Sequence, residues 1–376
     1  TPIKSSAASD VYKRQGQPDN DFLVYLPIYD LWNEIAGRLV SFDIHKMDRY
    51  APKFIKTIQT IIAGGYDVDY ISDAFIKTTR CTDRQLVTSG GTRYKALIVP
   101  AVRLMPAATL RKLTELARQG ATIIFVEQYP EDVPGYHELN KNRKIFQYIV
   151  RQLPATDSFK HTQQFEFGKG LIIAGSDYQQ ALAQTGIPAE ELKTQYGLQF
   201  IRRSNSEGHH YFVSCLQGKD IDGWVTLNVP ETAAMFFNPM NGERGKAQSQ
   251  TNNGKLQVRL QLKSGESLII QTLNKPLDKE TAWNYPEEQA YSLSLDHGWK
   301  LNFVESTPSI TGQFNIDSPI SWTELEQPEA KINMGTGCYS IEIELPTIEA
   351  DDWILDLGDV RESARVRING NDAVTV

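Results

Sequence analysis

Histidine and cysteine, the usual ligands of transition metals and frequent catalytic groups, form no recognisable motif in this sequence. The adjacent histidines His209 and His210 lie in a predicted strand, where neighbouring side chains point to opposite faces and cannot share one ion. We expect one of them to be buried and the other solvated. The three cysteines, Cys81, Cys215 and Cys338, form no C-x-x-C pair and are predicted to be buried thiols. The sequence therefore predicts no metal site.

Paired carboxylates are the next candidates, because two acidic groups can act as a general acid and a general base. Adjacent acids in turns or first helical turns usually face solvent, and this interpretation covers Glu131 and Asp132, Glu190 and Glu191, and Asp351 and Asp352. A catalytic pair must instead converge from separate elements, which spacing alone does not reveal. We therefore leave the catalytic residues unassigned.

Three residues with functional chemistry follow the first predicted strand: Asp30, Trp32 and His45. This connection lies at the carboxyl edge of the predicted sheet, where ligands of such folds bind. Loop packing and helix entry are the simpler interpretation of these residues. The functional interpretation is a substrate-proximal contribution to a site that is mostly built elsewhere.

Glycine and cysteine motifs argue against two functions common to parallel sheets. The first turn, PIYDLWNEIAG, contains neither G-x-G-x-x-G nor a phosphate-binding P-loop, so a nucleotide site is not predicted. A glutamine amidotransferase needs a nucleophilic cysteine on a tight elbow after a strand. The turn after ATIIFVE carries Gln128, Tyr129 and Pro130 instead, and Cys81 lies in a polar connection.

Strands and helices alternate over residues 21–153, which predicts an α/β fold with a doubly wound parallel sheet. Continuous apolar runs predict strands at DFLVYLPI, KALIVP and ATIIFVE, and YDVDYIS alternates. Apolar residues three and four apart predict a helix over residues 48–64, with Asp48 as N-cap, and a second over 106–119. The second helix should bury Leu110, Leu113, Leu116 and Ala117 and end at Gly120.

Short strands separated by glycine, asparagine and proline turns dominate after Pro154. We predict a flavodoxin-like or amidotransferase-like domain over residues 16–154, a β-sandwich over 155–275 and a truncated, galactose-binding-like jelly roll over 276–376. A helical piece is expected within the sandwich, over residues 176–192. Near the end, the hairpin joined through NGND should turn Val366 and Ile368 inward and Arg365 and Arg367 outward.

Composition narrows the possible partners. Hydrophobic residues make up 40% and charged residues 23% of the 376 residues, as in ordinary globular chains. The formal net charge of −7 and the scattered basic residues argue against nucleic-acid binding. No run of apolar residues is long enough for a membrane helix.

Residues 1–15 are interpreted as a non-native tail. Ser5 to Gln15, SSAASDVYKRQ, can be back-translated with allowed codons into a transposase adapter used in sequencing libraries. Native sequence is expected from about Gly16, and we expect the chain to be an internal fragment.

Several segments together resemble one enzyme family. GQPDNDFLVYLPIYDLW, GYDVDYISD and YKALIVPAVRLMPAATLRKLTELARQGATIIF, followed by FFNPMNGERGKA and DDWILDLGDVRESARVRING, resemble the region after the catalytic barrel in α-L-rhamnosidases of glycoside hydrolase family 106. The similarity extends over residues 16–376 and depends on the order of the segments, since none is a catalytic signature.

The resemblance implies an enzyme that removes α-L-rhamnose from plant or pectic polysaccharides by inversion. It implies that the acid, the base and the ligands of a calcium ion lie in an upstream barrel, on which this chain packs. No cofactor is expected in the fragment itself, and the location is expected to be periplasmic or secreted. Core packing is the simpler interpretation of Trp299, Trp322 and Trp353, and stacking on sugars is the functional one.

Two alternatives stay open. The chain is either an inactive piece of such a glycosidase or a free-standing carbohydrate-binding or structural protein. A fragment of another glycosidase with the same accessory domains, such as a β-galactosidase relative, is the third interpretation. Sequencing the gene further upstream would distinguish the first two alternatives. A piece of a glycosidase predicts an upstream barrel, whereas a free-standing protein predicts a start codon near Gly16.

Overall fold

The computed structural model describes residues 16–33, 47–216, 219–286, 291–348, 353–361 and 363–375. The chain forms two compact units, which divide between Tyr285 and Pro286. The described part contains no helix that is both long and apolar enough to cross a membrane.

The described residues of the first unit form eighteen strands, which we number in chain order. They are β1 Gln17–Pro18, β2 Phe22–Tyr25, β3 Val68–Ile71, β4 Arg80–Thr82, β5 Gln85–Val87, β6 Arg93–Tyr94, β7 Ala96–Val99, β8 Thr122–Val126, β9 Gln163–Phe167, β10 Gly170–Gly175, β11 Gln199–Ser204, β12 His209–Ser214, β13 Ile221–Leu227, β14 Ala233–Phe237, β15 Arg244–Lys246, β16 Ser249–Asn252, β17 Lys255–Leu262 and β18 Ser267–Leu273.

Eight described helices accompany these strands. They are α1 Ile28–Asn33, α2 Met47–Tyr50, α3 Pro52–Ala63, α4 Asp73–Thr78, α5 Ala107–Gln119, α6 Leu139–Val150, α7 Tyr178–Ala183 and α8 Glu191–Thr194.

A six-stranded sheet in the order β3-β2-β7-β8-β10-β9 forms the centre of the α/β part. The pairs between β3 and β10 are parallel, as predicted for the first four of these strands, whereas β9 is antiparallel to β10. All four residues of β2 are buried, because helices cover both faces of the sheet. The sheet therefore continues past the predicted boundary at residue 154 and ends only at Gly175.

The helix termini follow local chemistry. The four apolar residues predicted to line α5, from Leu110 to Ala117, are fully buried, and Gly120 follows the helix with a φ of 131°, so this prediction is confirmed. Helix α3 begins at Pro52 rather than at an Asp48 cap, since proline needs no N–H partner in the first turn. Asp48 lies instead in the short helix α2.

Strand β1 and strands β11 to β18 form two sheets that share one core. One sheet has the order β1-β11-β12-β18-β14-β15 and the other the order β13-β17-β16. Strand β17 alternates strictly between half-buried and buried positions, and it contributes Leu256, Val258, Leu260 and Leu262 to the core. Opposite them lie Tyr211 and other residues of the first sheet. Strands β4, β5 and β6 form a small separate sheet.

The second unit has a small core. Its described elements are β19 Trp299–Thr307, β20 Gln313–Ile316, a 3-10 turn at Trp322–Glu324, helix α9 Pro328–Lys331, β21 Met334–Ser340, β22 Arg365–Ile368 and β23 Asn371–Thr375. Leu301, Leu325 and Ala330 are buried, with Phe303 and Trp322 packed against them.

The last hairpin departs from its prediction. Asn369 and Gly370 have positive φ values of 50° and 79°, which suits the predicted tight turn. Ile368, however, is 55% exposed rather than inward, and Val366 is half-buried. Arg365 and Arg367 are exposed, as predicted. The register shifts between Val366 and Arg367, and such a bulge disrupts the regular alternation of facing along the strand.

The three tryptophans singled out in this region differ. Trp322 packs on Phe303, with ring centroids 5.8 Å apart, and Trp299 donates its indole N–H to the carbonyl of Leu295 at 2.6 Å. Trp353 is 43% exposed beside Tyr291. Core packing therefore accounts for Trp322, while Trp353 offers an open ring face.

Candidate functional site

The carboxyl edge of the parallel sheet has a topological switch point between β2 and β7. Strand β2 pairs with β3 on one side and with β7 on the other, although the chain reaches β7 only after β3. The connections that follow β2 and β7 therefore leave in opposite directions and flank a crevice, where folds of this type bind ligands. This edge is the candidate functional site.

The Asp30 carboxylate crosses this switch point. One carboxylate oxygen accepts the backbone N–H of Arg103 and the other accepts that of Leu104, both at 2.7 Å. Arg103 and Leu104 belong to the connection after β7, so Asp30 joins the two loops. Charge-assisted bonds of this length are strong, and they commit both oxygens to the protein. Asp30 thus positions the edge instead of offering its carboxylate to a ligand.

Trp32 lies on the same short helix and is 53% exposed. The ring of Tyr29 meets it edge to face, with centroids 5.7 Å apart and planes at 89°. A partly exposed indole held in this way presents an apolar surface to a ligand. The structure therefore brings Asp30 and Trp32 to the predicted edge, whereas His45 lies outside the described residues.

Hydrogen bonds among Tyr25, Asp73 and Thr109 stabilise this edge. Tyr25, at the end of β2, donates its hydroxyl to the carboxylate of Asp73 at 3.2 and 3.3 Å, and Thr109 donates to the same carboxylate at 2.5 Å. Burial, reinforced by the charge of Asp73, raises the pKa of Tyr25 far above its ordinary value, so the phenol stays a donor. Because β2 and β3 are neighbours, the pairing of Tyr25 with Asp73 could have been predicted from their positions at the ends of these strands.

The connection after β8 adds a strained backbone position. Glu127 has a φ of 68°, in the left-handed region that glutamate seldom adopts, and its side chain is exposed. Its N–H donates to the carbonyl of Gly175 at 3.0 Å. The next residue, Gln128, donates its side-chain amide to the carbonyl of Val102 at 3.0 Å. The loops after β7 and β8 are therefore held against each other.

A second cluster, centred on Arg202 in β11, is buried between the parallel sheet and the other sheets of the first unit. The guanidinium donates to Asp19 at 2.5 Å, to Glu190 at 3.0 Å and to Asp21 at 3.4 Å. Burial alone would lower the pKa of Arg202, but Tyr211 and the three carboxylates raise it above its ordinary value. The ion pairs of this cluster therefore hold these parts of the chain together and do not form an open ligand site.

The prediction that Glu190 is solvated is wrong. Glu190 is 1% exposed, and its carboxylate accepts the N–H of Asn228 at 3.0 Å and the hydroxyl of Tyr211 at 3.3 Å besides the guanidinium of Arg202. Such a burial is tolerated because a cation from a distant strand compensates it. Asp132 pairs with Arg143 at 2.5 Å, while Asp351 and Asp352 lie outside the described residues.

The two adjacent histidines contact different groups. His209 Nδ1 lies 3.1 Å from the Glu231 carboxylate, and His210 Nδ1 lies 3.3 Å from the side-chain amide of Asn205. His210 is 4% exposed and the side chain of His209 is 20% exposed. Across the described ranges, no group of three or more His, Cys, Asp and Glu side chains could hold a metal ion.

Comparison with known proteins places the chain in a family. The family model described as alpha-L-rhamnosidase, glycoside hydrolase family 106, matches residues 37–251, more than half of the 376 residues. The chain therefore belongs to the α-L-rhamnosidases of glycoside hydrolase family 106. A comparison with curated proteins gave no match.

One solved structure has a similar fold. A rhamnosidase from Novosphingobium sp. PP1Y superposes with a TM-score of 0.68 at 18% identity, covering 100% of this chain and 34% of that chain. This chain thus spans about a third of that relative. An alpha-L-fucosidase isoenzyme 2 from Paenibacillus thiaminolyticus reaches a TM-score of only 0.39 at 11% identity, over 71% of this chain and 50% of that one.

Proposed function

We propose that this chain is the accessory portion of an enzyme that removes α-L-rhamnose from plant or pectic polysaccharides by an inverting mechanism. In this proposal the catalytic barrel belongs to another part of the same protein. Family membership supports the rhamnosidase activity. The length of the Novosphingobium relative, of which this chain spans 34%, supports a further catalytic part.

The structural support for this proposal is that the buried carboxylates already bind protein groups. Asp21 binds Lys95 at 2.7 Å, Glu190 binds Arg202, and Glu231 lies between His209 and the hydroxyl of Thr272. An inverting pair needs one acid and one base, about 6.5–9.5 Å apart, that face a sugar and a water molecule. These three carboxylates are committed to protein partners, so we assign them a structural role.

The carboxyl edge then forms part of the wall of the sugar cleft. In this proposal Trp32 contacts the substrate and Asp30 holds the loop beside it. The calcium ion that the family resemblance implies is assigned to the barrel, because the described residues include no group of three or more His, Cys, Asp and Glu side chains that could hold a metal ion.

Hydrolysis of 4-nitrophenyl α-L-rhamnopyranoside tests the proposal. The 376-residue chain should release no more nitrophenol than a blank, whereas the longer protein that includes the barrel should hydrolyse the substrate. Proton NMR of the first product should show the β anomer of L-rhamnose, as inversion requires. Activity of the chain alone, or a retained α anomer, would contradict the proposal.

The same assay separates the alternative of a free-standing carbohydrate-binding protein. That alternative is favoured by one observation, the half-exposed ring of Trp32 at a ligand-binding edge. It predicts sugar binding by the chain and no rhamnosidase activity in the longer gene product.

A further inference from the structure

The loop after β7 is fixed from both sides. On one side, Asp30 accepts the N–H of Arg103 at 2.7 Å. On the other, the carbonyl of Arg103 accepts the N–H groups of Glu131 and Asp132 at 2.9 and 3.1 Å. The backbone of Arg103 is therefore held while its side chain is exposed at the carboxyl edge. A backbone that is fixed before binding lowers the ordering cost of binding a ligand, which then falls on the side chain alone.

Glu127 is presented in a comparable way by the neighbouring loop. Its left-handed φ of 68° is imposed by the bonds of its N–H to Gly175 and of Gln128 to Val102. Glycine would adopt this conformation without strain, so the glutamate occupies a position that its backbone preference disfavours.

Glu138 provides a contrast. It is also left-handed, with a φ of 48°, and also exposed, but its carboxylate binds Lys141 at 2.9 Å at the start of helix α6. A local contact therefore accounts for the acidic side chain at Glu138, whereas Glu127 projects from the end of a parallel strand at the ligand-binding edge.

We propose that Arg103 and Glu127, together with the ring of Trp32, bind one pyranose residue of the glycan substrate. The three side chains follow adjacent strands in the order β2, β7 and β8, and the bonds from Asp30 and Gln128 join their loops into one surface. This inference rests on the proposed function, because it identifies the bound sugar as the rhamnose of an α-L-rhamnoside.

The chemistry of the three groups suits this ligand. The guanidinium only donates and the carboxylate only accepts, so together they satisfy a pair of neighbouring sugar hydroxyls, each of which does both. The indole ring packs on the C–H groups and the methyl group of a 6-deoxy sugar. Few polar groups on a fixed backbone beside an aromatic ring are typical of small-molecule sites.

Binding of methyl α-L-rhamnopyranoside to the 376-residue chain tests the site by titration calorimetry. The wild-type chain should bind it saturably. Arg103→Met and Glu127→Gln should each raise the Kd about tenfold, which corresponds to one charge-assisted hydrogen bond. Glu138→Gln is the matched control and should leave the Kd unchanged. Glu127→Gly should lose binding while keeping or raising the Tm, because it relieves the backbone strain.

Two results would overturn the inference: no saturable binding by the wild-type chain, or variants of Arg103 and Glu127 that bind like Glu138→Gln. Failure of the proposed function looks different. In that case the chain binds the rhamnoside through these residues, but the longer protein does not hydrolyse 4-nitrophenyl α-L-rhamnopyranoside.

Discussion

Arg202 Nη1 lies 3.0 Å from Glu190 Oε2, and the two side chains are only 9% and 1% exposed. The pair connects β11 with the residue that precedes helix α8. A charge buried this deeply depends on its partner, since water cannot replace the lost interaction.

Removing the guanidinium of Arg202 should therefore strongly destabilise the folded chain. We predict that Arg202→Met lowers the free energy of unfolding by about 3–5 kcal/mol, because it leaves the buried Glu190 carboxylate without its cation. Urea denaturation followed by circular dichroism measures this loss. Arg244→Met, the same change at an exposed position of β15, should cost less than about 0.5 kcal/mol. Equal effects of the two substitutions would contradict the assigned role.

The Asp30 bridge makes a local prediction. Asp30→Ala should lower the free energy of unfolding by about 1–3 kcal/mol, since the N–H groups of Arg103 and Leu104 lose a charged acceptor. Hydrogen exchange should accelerate at the amides of Arg103 and Leu104, which lose their acceptor. Asp48→Ala removes an exposed bond to the N–H of Arg49 and serves as the control. Unchanged exchange at both amides would contradict the bridge.

A close approach between α5 and β10 depends on Gly170. A methyl group there would lie 2.3 Å from the carbonyl oxygens of Ala117 and Ala121, which are backbone atoms and cannot move aside easily. We predict that Gly170→Ala costs about 3 kcal/mol or more. In contrast, Gly223→Ala meets no atom within 4 Å and should be neutral or slightly stabilising. Thermal melts of both variants check this difference.

Buried tyrosines predict a loss of stability at high pH. Burial raises the pKa of Tyr178 to about 12, and the nearby charge of Glu127 adds to the shift. A folded-state pKa above the unfolded value of 10.0 contributes stability that is present below pH 10 and is lost as pH rises toward 12. The free energy of unfolding should therefore fall over this range, and less steeply in Tyr178→Phe. Identical slopes for the two proteins would contradict this assignment.

Local patterns predicted the framework of the first unit. The spacing of Leu110, Leu113 and Leu116 predicted helix α5, and the apolar run at Phe22–Tyr25 predicted a central strand. Placing Asp30 and Trp32 at the carboxyl edge followed from the parallel topology. These features depend on neighbours in sequence or on general rules of sheet geometry.

Long-range pairing was beyond local patterns. The two N–H groups that bind the Asp30 carboxylate lie 73 and 74 positions further along the chain. The sequence PIYDLW therefore could not predict which groups Asp30 binds. Glu190 was predicted to be solvated because its cation, Arg202, belongs to a different element. The left-handed backbone at Glu127 also depends on contacts from Gly175 and Val102, which no local motif reveals.

The path of the chain at its first described residues has a mechanical consequence. Residues Gln17 and Pro18 pair with β11, and Phe22, only four positions after Pro18, already begins the parallel sheet. Asp19 and Asp21, in the short crossing, both contact Arg202. The connection is too short for the parallel sheet and the sheet that contains β11 to rotate against each other without breaking strand pairs. The two sheets should therefore move as one rigid body and unfold in a single calorimetric transition.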